Sequence, residues 1–105
     1  MKEYQVIWNP EAVEMLDKVF HFLSATQSDS EARKIKKDLI MLAYSLRTLP
    51  RRFPKERLLE NSALEFRSAI LGHFKLIFHP GVDQVIILGV FDTRQNPGKI
   101  KDFFS

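Results

Sequence analysis

Three apolar runs in the C-terminal half, residues 64–71, 73–80 and 84–91, are separated by Gly72 and by the turn-forming Gly81-Val82-Asp83 that follows Pro80. Connections this short join only antiparallel neighbours, because a parallel pair needs a crossover of a dozen or more residues. The runs are therefore predicted to form a meander of two hairpins. The third run, Val85-Ile86-Ile87-Leu88-Gly89-Val90-Phe91, is apolar on both faces, which marks a central strand covered above and below. Its second face requires a partner, either the chain's own tail or an apolar segment of another protein.

The N-terminal half reads as one strand and two helices. Glu3-Tyr4-Gln5-Val6-Ile7-Trp8 is β-branched and aromatic, as suits a short strand, with Trp8 a core or helix-entry residue. Asn9-Pro10 then supplies an N-cap followed by proline at the first helical position, where its missing N–H costs nothing. Ala12, Leu16, Val19, Phe20 and Leu23 recur at helical spacing, so the first helix extends to about Ala25. A second cap, Ser28 or Ser30, precedes a stripe of Ala32, Ile35, Leu39, Leu42, Ala43, Leu46 and Leu49, and Pro50 ends that helix. The order is βααβββ, an α+β domain in which an antiparallel helical hairpin packs on one face of a small antiparallel sheet.

With 105 residues and 45% hydrophobic content, one core and one domain spanning residues 1–105 are expected, with a tail over 92–105 that either docks on the core or stays mobile. No run approaches the length of a membrane span and the N-terminus lacks a secretory pattern, so a cytoplasmic protein with no membrane partner is expected. The absence of cysteine excludes a disulfide framework and thiolate metal sites, and no residues stand at metal-ligand spacing; neither metal nor cofactor is expected. The net charge of +3 is modest, but the basic residues bunch at Arg33-Lys34, Lys36-Lys37, Arg51-Arg52 and Lys55-Arg57, which favours an anionic or acidic partner.

Strand alternation indicates where those cations stand. Leu64, Phe66 and Ile70 point one way and Glu65 and Arg67 the other; Phe74, Leu76 and Phe78 share one face, and His73, Lys75 and His79 the opposite one. If the helices cover the Phe face, Arg67, Lys75 and both histidines are expected to cluster on an exposed sheet surface beside the basic connector. Each has a bland alternative. Arg67 would pair with Glu65, Arg94 with Asp92, and His73 and His79 would be solvated turn residues. The cations of the second helix are read as its solvated face, with Glu31 and Asp38 available for pairs along the helix. Arg51, Arg52, Lys55 and Arg57 lie on a loop, where they either reach an anionic ligand or serve solubility.

The element order, the arginine in Leu64-Glu65-Phe66-Arg67, the run Val90-Phe91-Asp92-Thr93-Arg94-Gln95-Asn96-Pro97 and the opening Tyr4-Gln5-Val6-Ile7-Trp8-Asn9-Pro10-Glu11-Ala12 together resemble the RelE/ParE toxins of type II bacterial toxin–antitoxin (plasmid stabilisation) systems. The resemblance covers roughly residues 4–101. It implies a toxin neutralised by a cognate antitoxin and assembled as a dimer or toxin–antitoxin hetero-oligomer, whose target is either DNA gyrase or ribosome-bound messenger RNA. A metal-independent endoribonuclease needs a base, cations and an acid around the scissile phosphate, whereas a gyrase poison needs only a binding surface. The resemblance places Arg67 at the family's sheet arginine and Arg94 near that of the last strand. Lys75 and His79 complete the candidate catalytic set, with Arg51, Arg52, Lys55, Arg57 and His73 as candidate substrate contacts. Many of the ribonucleases carry a tyrosine near the C-terminus, but this tail reads Lys101-Asp102-Phe103-Phe104-Ser105, and that departure, with the long helical hairpin, leans toward ParE. The rival readings are a non-catalytic protein-binding module with a degenerate toxin fold and a small RNA-binding α+β domain.

Overall fold

The computed structural model describes residues 2–105. Strand β1 (Gln5–Trp8) leads into helix α1 (Pro10–Thr26) and then α2 (Asp29–Ser45). A connector with two short 3-10 turns (Pro50–Arg52 and Arg57–Leu59) precedes β2 (Arg67–Leu71), β3 (Phe74–Pro80) and β4 (Gln84–Asp92), and a short helix α3 (Gly98–Phe103) closes the chain. Local chemistry accounts for most of these boundaries. Pro10 opens α1, and the Ser28 hydroxyl caps α2 by accepting the Glu31 amide at 3.0 Å, so Ser28 and not Ser30 is the cap. Gly72, at φ +57°, occupies the first position of the two-residue β2–β3 turn, where a side chain would be strained.

The sheet order is β1-β4-β3-β2. The β2–β3 and β3–β4 pairs are antiparallel as expected, and β1 lies parallel to β4 with Val6 opposite Val85 and Ile7 opposite Ile86. The helical hairpin is the crossover that makes this parallel pairing possible. A register shift in the β3–β4 ladder sets Ile77 opposite Gly89 but Phe78 opposite Ile87, leaving Leu88 as an extra residue. That bulge re-phases β4, so Val85 and Ile87 on one side of it and Val90 on the other all reach the same core.

The main core lies between the hairpin and the sheet. It joins Ala12, Leu16 and Leu23 of α1 and Leu39, Ala43 and Leu46 from α2 and its cap to Phe74, Leu76, Phe78, Val85 and Ile87. Trp8 packs at its margin. A second, smaller core covers the opposite sheet face: Phe66, Ile77 and Ile100, flanked by Leu58, Leu59, Leu88, Phe91 and Phe104. The tail supplies that cover, with the Phe104 ring 5.1 Å from Phe66 and the Phe103 ring 5.6 Å from Phe91.

Three expectations need correction. Helix α2 stops at Ser45, not at Pro50; Leu46 stays buried, but Leu49 adopts φ 47°, ψ 54° and stands 60% exposed outside the apolar stripe. Strand β2 begins at Arg67 because residues 64–66 find no ladder partner on β3, and Leu64 is exposed. The cations of α2 do not rely on Glu31 and Asp38: Lys36 reaches across to Asp17 of α1 at 3.5 Å and lies over the Phe20 ring.

Candidate functional site

Cross-strand register decides which side chains can meet. Arg67 is paired with Phe78, and Ala69 with Leu76, so Arg67 shares the helix-side face. Lys75 is paired with Ile70 and Phe91, on the face covered by the tail. The expected cluster of Arg67, Lys75 and both histidines on one exposed surface is therefore absent, because Arg67 and Lys75 lie on opposite sides of the sheet.

Arg67 is fixed by the connector. Its Nε donates to the Glu65 carboxylate at 2.5 Å and its Nη1 to the Phe53 and Arg51 carbonyls at 2.7 and 3.4 Å. Glu65 also pairs with Arg51 at 3.4 Å, and its carbonyl meets His79 Nδ1 at 2.8 Å. A carbonyl only accepts, so Nδ1 carries the proton. Burial pushes the Glu65 carboxyl up, but the Arg67 hydrogen bond and the charges of Arg51 and Arg67 outweigh it and hold the carboxyl below the ordinary glutamate range. The structure thus gathers Arg51, Arg67 and His79 around Glu65, three predicted residues and one predicted partner.

The remaining candidates are elsewhere. Lys75 Nζ lies 2.6 Å from Glu56 Oε1, a carboxylate only 3% exposed. Nothing in the spacing singles out Glu56; the available signal is a lone carboxylate inside the basic Lys55-Glu56-Arg57 run. Arg94 grips Asp92 with Nε and Nη2 at 3.0 and 2.9 Å, and its amide binds the same carboxylate at 2.9 Å. The Arg94 hydrogen bonds lower the Asp92 carboxyl pKa against the effect of burial. Asp92 is opposite Phe74 while Arg67 is opposite Phe78, a separation of about 13 Å along β3. His73 sits exposed in the β2–β3 turn, and its carbonyl receives the Thr93 amide and hydroxyl. Arg52 donates to the carbonyls of Ser45, Thr48 and Leu49 and so caps the end of α2, while Lys55 and Arg57 are exposed on the connector.

A second feature escapes periodicity altogether. Strand β1 pairs only with Gln84–Ile87, so beyond that point the outer edge of β4 has no strand beside it among the described residues. Between this edge, α1 and α3 lies a groove of about 480 Å³ whose walls include Met15, Val19, Phe22, Val90, Phe91 and Phe103. Gly89 leaves room for the Phe91 ring that walls it. A Cβ there would stand 2.5 Å from the Phe91 ring and 3.4 Å from Met15 Sδ.

An α+β chain with two packed helices on a four-stranded sheet and a short C-terminal helix has the build of RelE/ParE-type toxins. The family model described as the ParE toxin of the type II toxin–antitoxin system, parDE, matches residues 6–97, and the chain belongs to that family. It is similar in fold to a structure of the chromosomal ParDE toxin–antitoxin system from P. aeruginosa, with TM-score 0.72, 17% identity, and coverage of 86% of this chain and 96% of that one. It is also similar to the RelBE2 toxin–antitoxin complex from Mycobacterium tuberculosis, with TM-score 0.66, 22% identity, and coverage of 88% and 93%. No curated protein matches the chain. Among the described residues, no helix is long and apolar enough to cross a membrane.

Proposed function

We propose that this toxin inhibits growth by binding and poisoning DNA gyrase through its surface, and not by cutting messenger RNA. The observation that carries this reading is the separation of the three candidate catalytic cations, Arg67, Lys75 and Arg94, each tied to a different carboxylate. Arg67 is held by Glu65 and the connector, Lys75 by Glu56 on the other sheet face, and Arg94 by Asp92 toward the far end of β3. Ribonuclease chemistry needs a base, an acid and a cation converging on one phosphate. His79 Nδ1 is engaged by the Glu65 carbonyl, and the tail that bears Phe103 and Phe104 packs its rings on Phe66 and Phe91.

The antitoxin is proposed to occupy the groove along β4. An extended segment would add main-chain hydrogen bonds to the open edge, seat apolar side chains between Phe22 and Phe91, and set carboxylates near Lys18 and Lys99 on the rim. Induced expression in a sensitive host, followed by pulsed-field analysis of the chromosome and primer extension on ribosome-bound messages, tests the target. Growth arrest with double-strand breaks and intact messages is the expected outcome. Ribosome-dependent cleavage with an intact chromosome would overturn it.

A further inference from the structure

Where α2 runs into the connector, the chain places a left-handed leucine in the open. Leu49 is the one non-glycine residue with positive φ among those described, and a bulky side chain reaches that region only at a cost. Its burial does not compensate the strain, because Leu49 is 60% exposed while the following Pro50 is fully buried. The left-handed turn at Leu49 leads into the Pro50–Arg52 3-10 turn, and its side chain is left facing solvent.

Cations surround it, and most lie over aromatic rings. The Arg47 guanidinium is 4.0 Å from the Tyr44 ring centre, Arg52 is 4.6 Å from that of Phe53, and Lys2 is 4.8 Å from that of Tyr4. Arg51 donates to the Tyr4 hydroxyl at 3.2 Å and the Pro80 carbonyl at 3.1 Å. The Tyr4 amide is itself bound to the Arg47 carbonyl at 2.7 Å, which fixes the start of the chain against this corner. The carboxylates in contact are Asp83, paired with Lys2, and Glu65, which Arg51 shares with Arg67; Glu3 is exposed beside Lys2. The corner keeps a positive excess. Between the cations lies a hollow of about 380 Å³ walled by Tyr4, Leu49 and Pro50, with Lys2, Arg51 and Arg52 around it.

We propose that this corner binds single-stranded nucleic acid, with phosphates on the Lys2, Arg47, Arg51 and Arg52 rim and an unpaired base in the hollow against Leu49 and Tyr4. A hollow with apolar and aromatic walls and cations around it suits a base and its phosphodiester, and every base offers a face to stack. An acidic peptide is the competing occupant, and displacement by polyglutamate is the outcome that would favour it. Base pairs in a duplex are already stacked and cannot enter the hollow. The surface is remote in sequence from the groove on β4, and the proposal does not depend on whether the toxin's target is gyrase or messenger RNA.

Fluorescence anisotropy with a labelled mixed-sequence oligonucleotide, single-stranded and as a duplex, tests this on the full chain. The single strand is expected to bind more tightly than the duplex, with affinity falling steeply between about 50 and 200 mM salt. Lys2→Glu with Arg47→Glu should weaken binding by about tenfold or more at low salt, and Leu49→Gly by about fivefold. Leu49→Gly relieves strain, so its thermal midpoint will not fall, which separates lost contact from lost folding. Arg33→Glu with Lys34→Glu, on the exposed side of α2, should change affinity far less. The proposal is overturned by absence of binding at low salt, by preference for the duplex, by equal losses in the α2 variant, or by polyglutamate displacing the strand at equal charge. Growth arrest and DNA breakage by the same variants report on the gyrase reading separately.

Discussion

Glu56 and Lys75 form an ion pair at 2.6 Å that ties the connector to the tail-covered face of the sheet. Glu56 Oε2 accepts the Leu58 amide at 3.0 Å, while Oε1 has no well-angled hydrogen bond, so the Lys75 ammonium is what offsets its burial. Removing one partner of a buried pair strands the other charge, whereas replacing both with apolar groups of similar size is often neutral. Lys75→Met is expected to cost about 3–5 kcal/mol in urea unfolding, and Glu56→Leu with Lys75→Met to recover most of it. Equal destabilisation in the double variant would refute this account.

Arg67 is a structural anchor in its own right. Arg67→Ala removes its charged hydrogen bonds to Glu65 and Phe53 and leaves those acceptors at the margin of the core. A loss of about 1.5–3 kcal/mol is expected, the usual scale for a bond to a charged group. Any loss of toxicity in that variant must therefore be read alongside its unfolding curve. An unchanged thermal midpoint would show that the anchoring is dispensable.

Acid stability follows from Glu65 and Asp92, whose carboxyls are both lowered in the fold, chiefly through Arg67 and Arg51 for the first and Arg94 for the second. A depressed folded pKa contributes stability that is present above the unfolded value and lost as pH falls through the folded one. Stability should thus hold near neutrality and decline below about pH 4. Glu65→Gln is expected to lose stability at neutral pH and to show a flatter decline in acid; a decline as steep as the parent's would exclude Glu65 as a source.

Leu49→Gly offers a test of strain independent of any ligand. Relief of the left-handed conformation is worth about 1 kcal/mol, partly offset by the greater freedom of glycine in the unfolded chain. Equal or slightly higher stability is expected in chemical denaturation. A clear loss would mean that the Leu49 side chain contributes packing that its exposure does not suggest.

Phe22 tests the groove. It is 52% exposed on α1 and lines the space beside the open edge of β4. Phe22→Glu should shift stability by no more than about 0.5 kcal/mol while weakening capture of the cognate antitoxin in calorimetry. Unchanged antitoxin affinity would move the proposed contact away from this groove.

Much of the fold was legible because it depends on short-range sterics. Pro10 at a helix start, the Ser28 cap, the stripes through Leu16 and Leu39 and the brief connections at Gly72 and Gly81 each act within a few residues. The local pairs expected as bland alternatives, Arg67 with Glu65 and Arg94 with Asp92, are also present, since partners two residues apart need no tertiary information. The Arg67–Lys75 cluster was not legible. Alternation within each strand is a property of the chain, but whether two strands are in phase depends on register, and a shift of one residue moves a side chain to the other face. Arg67 opposite Phe78 puts it with the helices.

By itself, then, the sequence determined the kinds of elements, their order, the antiparallel meander and the family resemblance, because periodicity, caps and turn lengths are local and motif order survives in the chain. Only the tertiary structure decided that β1 lies parallel beside β4, that α3 packs on the second sheet face, and that Lys75 answers to Glu56. Those outcomes rest on which distant surfaces exclude water from one another, and no local pattern encodes that choice.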